Sequence, residues 1–166
     1  MANQQIERLE INRSIRNEKL LYEMVTGGLM IAGGYPLWLT GFASCYSDID
    51  LYPRDWSYYF AWHKKLSALH DDGDISYSKK SVMYRFGGEN WQLIHPGQSC
   101  EAELLVTVDM SAASCVLMMD EHGAWSLWSY YADDIRSSVC RVLTKHSWTN
   151  YRTKQYQRKG MEVIET

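Results

Sequence analysis

Two glycines and two aspartates in one short stretch are the most informative feature of the chain. They lie in Ile31-Ala-Gly-Gly-Tyr-Pro-Leu-Trp-Leu-Thr-Gly-Phe-Ala-Ser-Cys-Tyr-Ser-Asp-Ile-Asp-Leu-Tyr52. Gly33-Gly34 follow an apolar run, and Asp48 and Asp50 stand in a segment that otherwise resembles a buried strand. Side chains alternate between the two faces of a strand. Both carboxylates are therefore expected on one face, with the neighbouring apolar side chains on the other.

The two aspartates predict a cation site, although the pattern alone leaves an alternative open. Carboxylates side by side repel each other, and each is more stable in water. A hard divalent cation such as Mg²⁺ or Mn²⁺ offsets the repulsion because carboxylate oxygens are its preferred ligands. Taken alone, Asp-x-Asp also fits a solvated strand end with two exposed aspartates.

The upstream glycines favour the cation site over the solvated strand end. A strand that turns through Gly-Gly into a helix presents backbone N–H groups with no side chain in the way, and such turns hold phosphate oxygens. A turn that binds phosphate, followed by metal-binding carboxylates, is the combination of groups that enzymes acting on nucleotides use.

Composition predicts a single compact domain over residues 1–166. Hydrophobic residues make up 46% of the 166 residues and charged residues 22%, which is ordinary for a globular domain. The net charge of −3 argues against a surface whose main purpose is to coat nucleic-acid backbone. The four cysteines show no metal-binding spacing, and neither a signal peptide nor a membrane-spanning apolar run is evident. We therefore expect a reduced, cytoplasmic protein without a membrane partner.

Apolar periodicity predicts an α+β fold, with a small mixed sheet and helices packed on it. The predicted helices cover residues 2–25, 35–39, 56–69, 132–143 and 147–160. The predicted strands cover residues 29–32, 46–52, 75–86, 91–94, 101–108 and 113–119. Asp55 is the expected N-cap of the third helix, and Ser147 is the expected N-cap of the last.

The glycine–aspartate stretch resembles the signature of the nucleotidyltransferase superfamily, which has the polymerase-β-like fold. The matching pieces are Met30-Ile-Ala-Gly33-Gly34 and Ser47-Asp48-Ile-Asp50-Leu. The family usually adds a third acid on a later strand. Asp109, which follows Leu104-Leu-Val-Thr-Val108, is the best placed candidate.

The end of the chain carries a second resemblance, to viral and phage members of this superfamily. The pattern is Thr149-x-x-Arg152-x-x-Gln155-Tyr156-x-x-Lys159-Gly160, in which Gln155 replaces the usual Lys. It implies a phage-encoded protein that works in the host cytoplasm.

The resemblance implies a role for each matching residue. Gly33 and Gly34 would lie against the triphosphate of an NTP, and Ser44 and Ser47 could donate hydrogen bonds to phosphate or simply form the turn. Asp48 and Asp50 would hold two Mg²⁺ ions, and Asp109 would complete the metal site and help to deprotonate the acceptor hydroxyl. Arg152 and Lys159, two helical turns apart, would offset phosphate charge or form a solvated helix face.

Three functions remain open. The first is a metal-dependent nucleotidyltransferase that transfers a nucleoside monophosphate from an NTP to a hydroxyl of an RNA end, a protein or a small molecule. The second is a non-catalytic regulator or inhibitor on the same fold that binds a nucleotide or a host protein. The third is a carboxylate-metal phosphohydrolase or nuclease, which fits the aspartates but not the Gly-Gly turn. The aromatic pairs Tyr58-Tyr59 and Tyr130-Tyr131 are further candidates to contact a base, although most such rings belong to a core.

Overall fold

The computed structural model describes residues 4–165 as alternating short strands and helices. The strands are β1 (Glu7–Leu9), β2 (Leu29–Ala32), β3 (Ile49–Pro53), β4 (Ser76–Tyr77), β5 (Ser81–Phe86), β6 (Glu89–Ile94), β7 (Val116–Met119), β8 (Trp125–Ser129), β9 (Val139–Val142) and β10 (Glu162–Glu165). The helices are α1 (Glu18–Thr26), α2 (Gly34–Leu39), α3 (Trp56–Leu69), α4 (Glu101–Val106), α5 (Ala132–Arg136) and α6 (Thr149–Arg158), with a 3₁₀ turn at Ser111–Ala113. None of the helices within residues 4–165 has the length and apolarity needed to cross a membrane.

The larger sheet of the described chain has eight strands in the order β1-β8-β7-β2-β3-β6-β5-β4. The pairing of β3 with β6 is parallel, and every other pairing in this sheet is antiparallel. The predicted α+β class, with a mixed sheet and packed helices in one compact domain, is confirmed.

β3 lies in the middle of this sheet and presents different chemistry on its two faces. Ile49 and Leu51 are almost fully buried in the larger core cluster. Asp50 and Tyr52 belong to the opposite face, where the smaller cluster around Met30 packs. The alternation expected for this strand is therefore present, and it directs the acidic side chains away from the main core.

α3 begins where the sequence predicts. The Asp55 carboxylate accepts a hydrogen bond from the Tyr58 backbone N–H at 3.0 Å, as an N-cap does. The helix buries Tyr59, Trp62 and Leu66, which recur at helical spacing.

A second, two-stranded sheet sets the position of α6. β9 and β10 pair in parallel, and α6 is the crossover helix between them. A bridge between Met110 and Val142 joins β9 to the segment that carries Asp109. This contact brings Asp109, distant in sequence, beside α6.

Several predicted elements are wrong. Residues 101–106 form helix α4 rather than a strand, because Glu, Ala and Leu are strong helix formers and only Leu104 and Leu105 are buried. Asp109 therefore lies in the loop after a helix. The predicted helix over 132–143 ends at Arg136, and β9 follows where Val139 and Val142 favour a strand.

Both ends of the chain also differ from the prediction. The N-terminal helix is confined to α1, and β1 precedes it. The last helix begins at Thr149 with Trp148, not Ser147, at the N-cap position. β10 has no counterpart among the predicted strands, and residues 2 and 3 of the first predicted helix lie outside the described residues.

Candidate active site

A cleft of about 610 Å³ opens on the acidic face of β3. The lining includes eight residues that the sequence singled out: Gly33, Gly34, Ser47, Asp48, Asp50, Asp109, Arg152 and Lys159. Residues from four separate regions of the chain thus meet at one site, as the resemblance to nucleotidyltransferases implies.

The Asp50 carboxylate has the most unusual environment in the cleft. Its Oδ1 is buried, with no hydrogen-bond partner among the described residues. Burial and the nearby charge of Asp48 raise the pKa of Asp50 to about 7, although Lys159 and Arg152 act in the opposite direction. Burial also raises the pKa of Asp48, against the effect of Lys159. The cleft therefore disfavours two negative charges in the absence of additional positive charge.

This donor set fits a Mg²⁺ ion. A bound cation would satisfy the unpartnered Oδ1 of Asp50 and remove the repulsion between the two carboxylates. Among residues 4–165, no three His, Cys, Asp or Glu side chains are grouped as metal ligands. Two carboxylates suffice for Mg²⁺, which keeps several waters and takes further ligands from substrate phosphates.

The two glycines leave room beside the charged groups. Gly33 has φ +90°, and a Cβ there would lie 3.2 Å from Oδ2 of Asp50. A Cβ at Gly34 would lie 3.1 Å from Nζ of Lys159. The Gly33 N–H is not available to a phosphate, because it donates to the Cys115 carbonyl at 2.9 Å. The glycines thus contribute open space between Asp50 and Lys159.

The two predicted serines have different positions. Ser47 lines the cleft. Ser44 does not appear in the lining; its backbone N–H donates to the Lys159 carbonyl at 2.9 Å. This bond attaches the loop before β3 to the end of α6 and helps to hold Lys159 opposite Gly34.

One face of α6 forms a wall of the cleft. Its lining residues recur at helical spacing: Trp148, Tyr151, Arg152, Gln155, Tyr156 and Lys159. Burial lowers the pKa of Lys159, and the negative charge of Asp50 opposes that effect. Arg152 and Lys159 both lie over the Tyr156 ring, at 5.6 and 4.9 Å from its centroid. The prediction that Arg152 and Lys159 share one helix face is confirmed.

Asp109 is held by two partners near the start of α6. Its Oδ2 lies 2.7 Å from Nε of Arg152 and 2.8 Å from Nε2 of His146. The Trp148 backbone N–H donates to Nδ1 of His146 at 3.0 Å. Since Nδ1 accepts this hydrogen bond, Nε2 is the ring nitrogen that donates to Asp109.

Several residues in the cleft or beside it are absent from the predicted site. The fold places Gln92 beside Asp50 across the β3–β6 pairing. His146 stands in a turn without metal-ligand spacing, so only the fold reveals its contact with Asp109. Trp148 and Tyr151 had a signal in the sequence, since they extend the helical spacing of Arg152 and Lys159 to the start of α6. The candidate pairs Tyr58-Tyr59 and Tyr130-Tyr131 are not part of the described lining.

Comparison with solved structures identifies the fold. No family model and no curated protein matches the sequence. Similar solved structures include a CCA-adding enzyme in complex with CTP, at 15% identity and TM-score 0.54 over 91% of this chain. The Thermotoga maritima CCA-adding enzyme complexed with tRNA is similar at 16% identity and TM-score 0.57 over 95% of this chain. The chain has a nucleotidyltransferase fold.

The similarity between these nucleotidyltransferase folds is limited to part of the larger proteins. The present chain covers 41% of the CTP-bound enzyme and 44% of the tRNA-bound one. A tRNA-processing enzyme complex is also similar, at 14% identity and TM-score 0.53, with 82% of this chain and 40% of that one covered. At these identities the comparison establishes the nucleotidyltransferase fold, and the activity has to be argued from the cleft.

Proposed function

We propose that this chain is a Mg²⁺-dependent nucleotidyltransferase, which transfers a nucleoside monophosphate from an NTP to an acceptor hydroxyl. The observation that carries the proposal is the buried, unpartnered Oδ1 of Asp50 beside Asp48, in a cleft bordered by Gly34 and Lys159. An unpaired buried carboxylate is costly, and a cation bound with phosphates relieves that cost.

The cleft residues divide the work of binding the substrate. Asp48 and Asp50 would hold Mg²⁺ or Mn²⁺, which supplies Lewis-acid stabilisation of charge on the reacting phosphate when bound. Lys159 would balance phosphate charge in the space beside Gly34. Arg152, which lies about two helical turns from Lys159 on the same face of α6, would add a second positive charge.

The reaction is a displacement at the α-phosphorus. The acceptor oxygen forms a bond to that atom, the bond from it to the oxygen bridging to the β-phosphate breaks, and pyrophosphate leaves. As the resemblance implies, Asp109 would accept the proton of the acceptor hydroxyl. Arg152 and His146 would hold the Asp109 carboxylate in place for that step.

The proposal covers three acceptor classes: an RNA end, a protein hydroxyl and a small molecule. The similar enzyme complexed with tRNA makes an RNA end the first acceptor to test. A phage-encoded protein at work in the host cytoplasm, as the final motif implies, is part of the same proposal.

The second candidate is a regulator or inhibitor that binds a nucleotide or a host protein without turnover. It is favoured by the contacts of Asp109, whose Oδ2 is already engaged by Arg152 and His146. Such a protein would bind NTP and Mg²⁺ and form no product.

The test is a transfer assay with NTPs labelled at the α-phosphate, Mg²⁺, and RNA, protein and small-molecule acceptors offered separately. We expect label on one acceptor class together with pyrophosphate release, and a loss of both by about 100-fold or more in Asp48→Asn/Asp50→Asn. The matched control is Asp72→Asn/Asp74→Asn, which removes the same charge from an exposed turn. Equal transfer by the cleft variant and the wild type would contradict the proposal.

A further inference from the structure

Two aromatic side chains stand exposed at the far end of the cleft from Lys159. The exposed fraction is 65% for Trp148 and 55% for Tyr151. Both rings line the cleft, and their centroids lie 6.1 Å apart at an interplanar angle of 75°. Large aromatic side chains usually bury most of their surface, so two exposed rings in a polar cleft indicate a surface for a planar, partly apolar ligand.

The aromatic rings and the phosphate-side residues lie on one helix face in a fixed order. Lys159, next to Gly34 and Asp50, is at one end of this face, and Arg152 is in the middle. At about 1.5 Å per residue, Tyr151 lies roughly 12 Å and Trp148 roughly 16 Å from Lys159 along the helix. An extended nucleoside triphosphate has the same order of groups, with phosphates at one end and a planar base at the other.

The position of the aromatic rings is tied to the rest of the cleft. The Trp148 backbone N–H donates to Nδ1 of His146. Nε2 of the same imidazole donates to Asp109, which is paired with Arg152. This chain of contacts fixes the start of α6 relative to Asp109. The backbone that carries the two rings is thus held at a set distance from the place proposed for the phosphates, which reduces the cost of ordering this end of the helix when a ligand binds.

We infer that Trp148 and Tyr151 form the base subsite of this cleft and bind the nucleobase of the NTP, one ring by stacking on the face of the base and the other by packing against its edge. The inference rests on the proposed function and specifies how that site takes its nucleotide. Stacking uses the face of the ring, which every base has, so it tolerates all four bases. Purines offer the larger ring area and should bind more tightly than pyrimidines.

The experiment compares two ligands that share phosphates but differ in the base. ATP and inorganic tripolyphosphate are titrated with Mg²⁺ into the wild type, Trp148→Ala, Tyr151→Ala and Trp148→Phe. We expect Trp148→Ala and Tyr151→Ala each to weaken ATP binding, for the ring that stacks by roughly 5- to 150-fold, the usual range for one base–aromatic stack, and for the other ring by less. Binding of tripolyphosphate should not change, and Trp148→Phe should retain most of the ATP affinity.

The matched control is Trp56→Ala, which removes an equally large, 49% exposed ring from α3, outside the described cleft lining. It should bind both ligands as the wild type does. ATP binding that is unchanged in both alanine variants, or weakened equally with tripolyphosphate binding, would overturn the inference. If the wild type binds tripolyphosphate as tightly as ATP, this inference fails and the proposed phosphate–metal site stands. If the wild type binds neither ligand, both fail.

Discussion

Gly34 illustrates how a single residue shapes the proposed phosphate site. Its position in the first turn of α2 requires no unusual backbone angle, so another residue could form the same turn. The added Cβ would nevertheless come within 3.1 Å of Nζ of Lys159, and the ammonium group would have to move. Glycine at this position therefore preserves the space between the lysine and the start of the helix.

We predict that Gly34→Ala folds normally and loses affinity for phosphate ligands. Alanine is favoured over glycine in a helix, so the melting temperature should stay the same or rise slightly. Displacement of Lys159 and occupation of the adjacent space should weaken binding of Mg²⁺–ATP by roughly 10- to 100-fold, as expected for the loss of a charged hydrogen bond. Calorimetric titration measures the affinity.

Gly97→Ala is the control for this substitution, since a Cβ at Gly97 meets nothing within 4 Å. It should bind as the wild type does. Wild-type affinity in Gly34→Ala would mean that Lys159 and the open space beside it do not contribute to binding.

Gly33 differs from Gly34 because its own backbone requires glycine. Its φ of +90° lies in a region that residues with a side chain rarely adopt. Substitution there would strain the backbone as well as crowd Asp50, so a loss of binding would have two causes. Gly34 is the cleaner position for a test.

At the scale of elements, Ser114 connects the helix that carries the Asp109 loop to the sheet. Its side chain is fully buried, donates to the Leu105 carbonyl at 2.7 Å and accepts from the Tyr130 N–H at 3.0 Å. One hydroxyl thus joins the end of α4 to the residue after β8. The Leu105 carbonyl in particular depends on this hydroxyl, because the bond between them is buried.

We predict that Ser114→Ala destabilises the protein by about 1–3 kcal/mol, since it leaves the buried Leu105 carbonyl and the partly buried Tyr130 N–H without this partner. For a domain of this size the melting temperature should fall by about 2–4 °C per kcal/mol. The control is Ser137→Ala, at an exposed position. A melting temperature that differs from that of the wild type by less than about 1 °C would show that these two hydrogen bonds contribute little net stability.

The elements show what sequence alone could and could not predict. The alternation in β3 was predictable because Ile49 and Leu51 must be buried, which forces Asp48 and Asp50 to the opposite face. The helical structure of residues 101–106 was not predictable, because an apolar Leu-Leu-Val run suits a strand as well as a short helix. The end of the helix at Arg136 depends on the pairing of β9 with β10, which is a contact between distant segments.

Some residues of the candidate site were also predictable from the sequence, and others were not. The glycines and Asp48, Asp50 lie close together in the sequence, so their local pattern predicted a shared site. The contact of Asp109 with His146 and the exposure of the Trp148 ring depend on how α6 crosses between β9 and β10. Neither is encoded in a local pattern.

At the scale of the whole molecule, the cleft lies between the eight-stranded sheet and the helix that crosses between the two strands of the smaller sheet. β3 and the residue before it contribute Asp50 and Asp48, and α6 with its C-cap contributes Arg152 and Lys159. The charges on the two sides are opposite, so a ligand with both a cation and phosphates would interact favourably with each. Such a ligand should stabilise the entire fold, since it binds across both parts.

The most direct test of the central claim is calorimetry of each NTP against the purified protein, with Mg²⁺ and with EDTA, on the wild type and on Asp48→Asn/Asp50→Asn. The account predicts NTP binding that requires Mg²⁺ and disappears in the variant, while circular dichroism shows the fold intact. Binding that is independent of Mg²⁺ and equal in the two proteins, or no binding by the wild type under any condition, would contradict a nucleotide–metal site at these carboxylates.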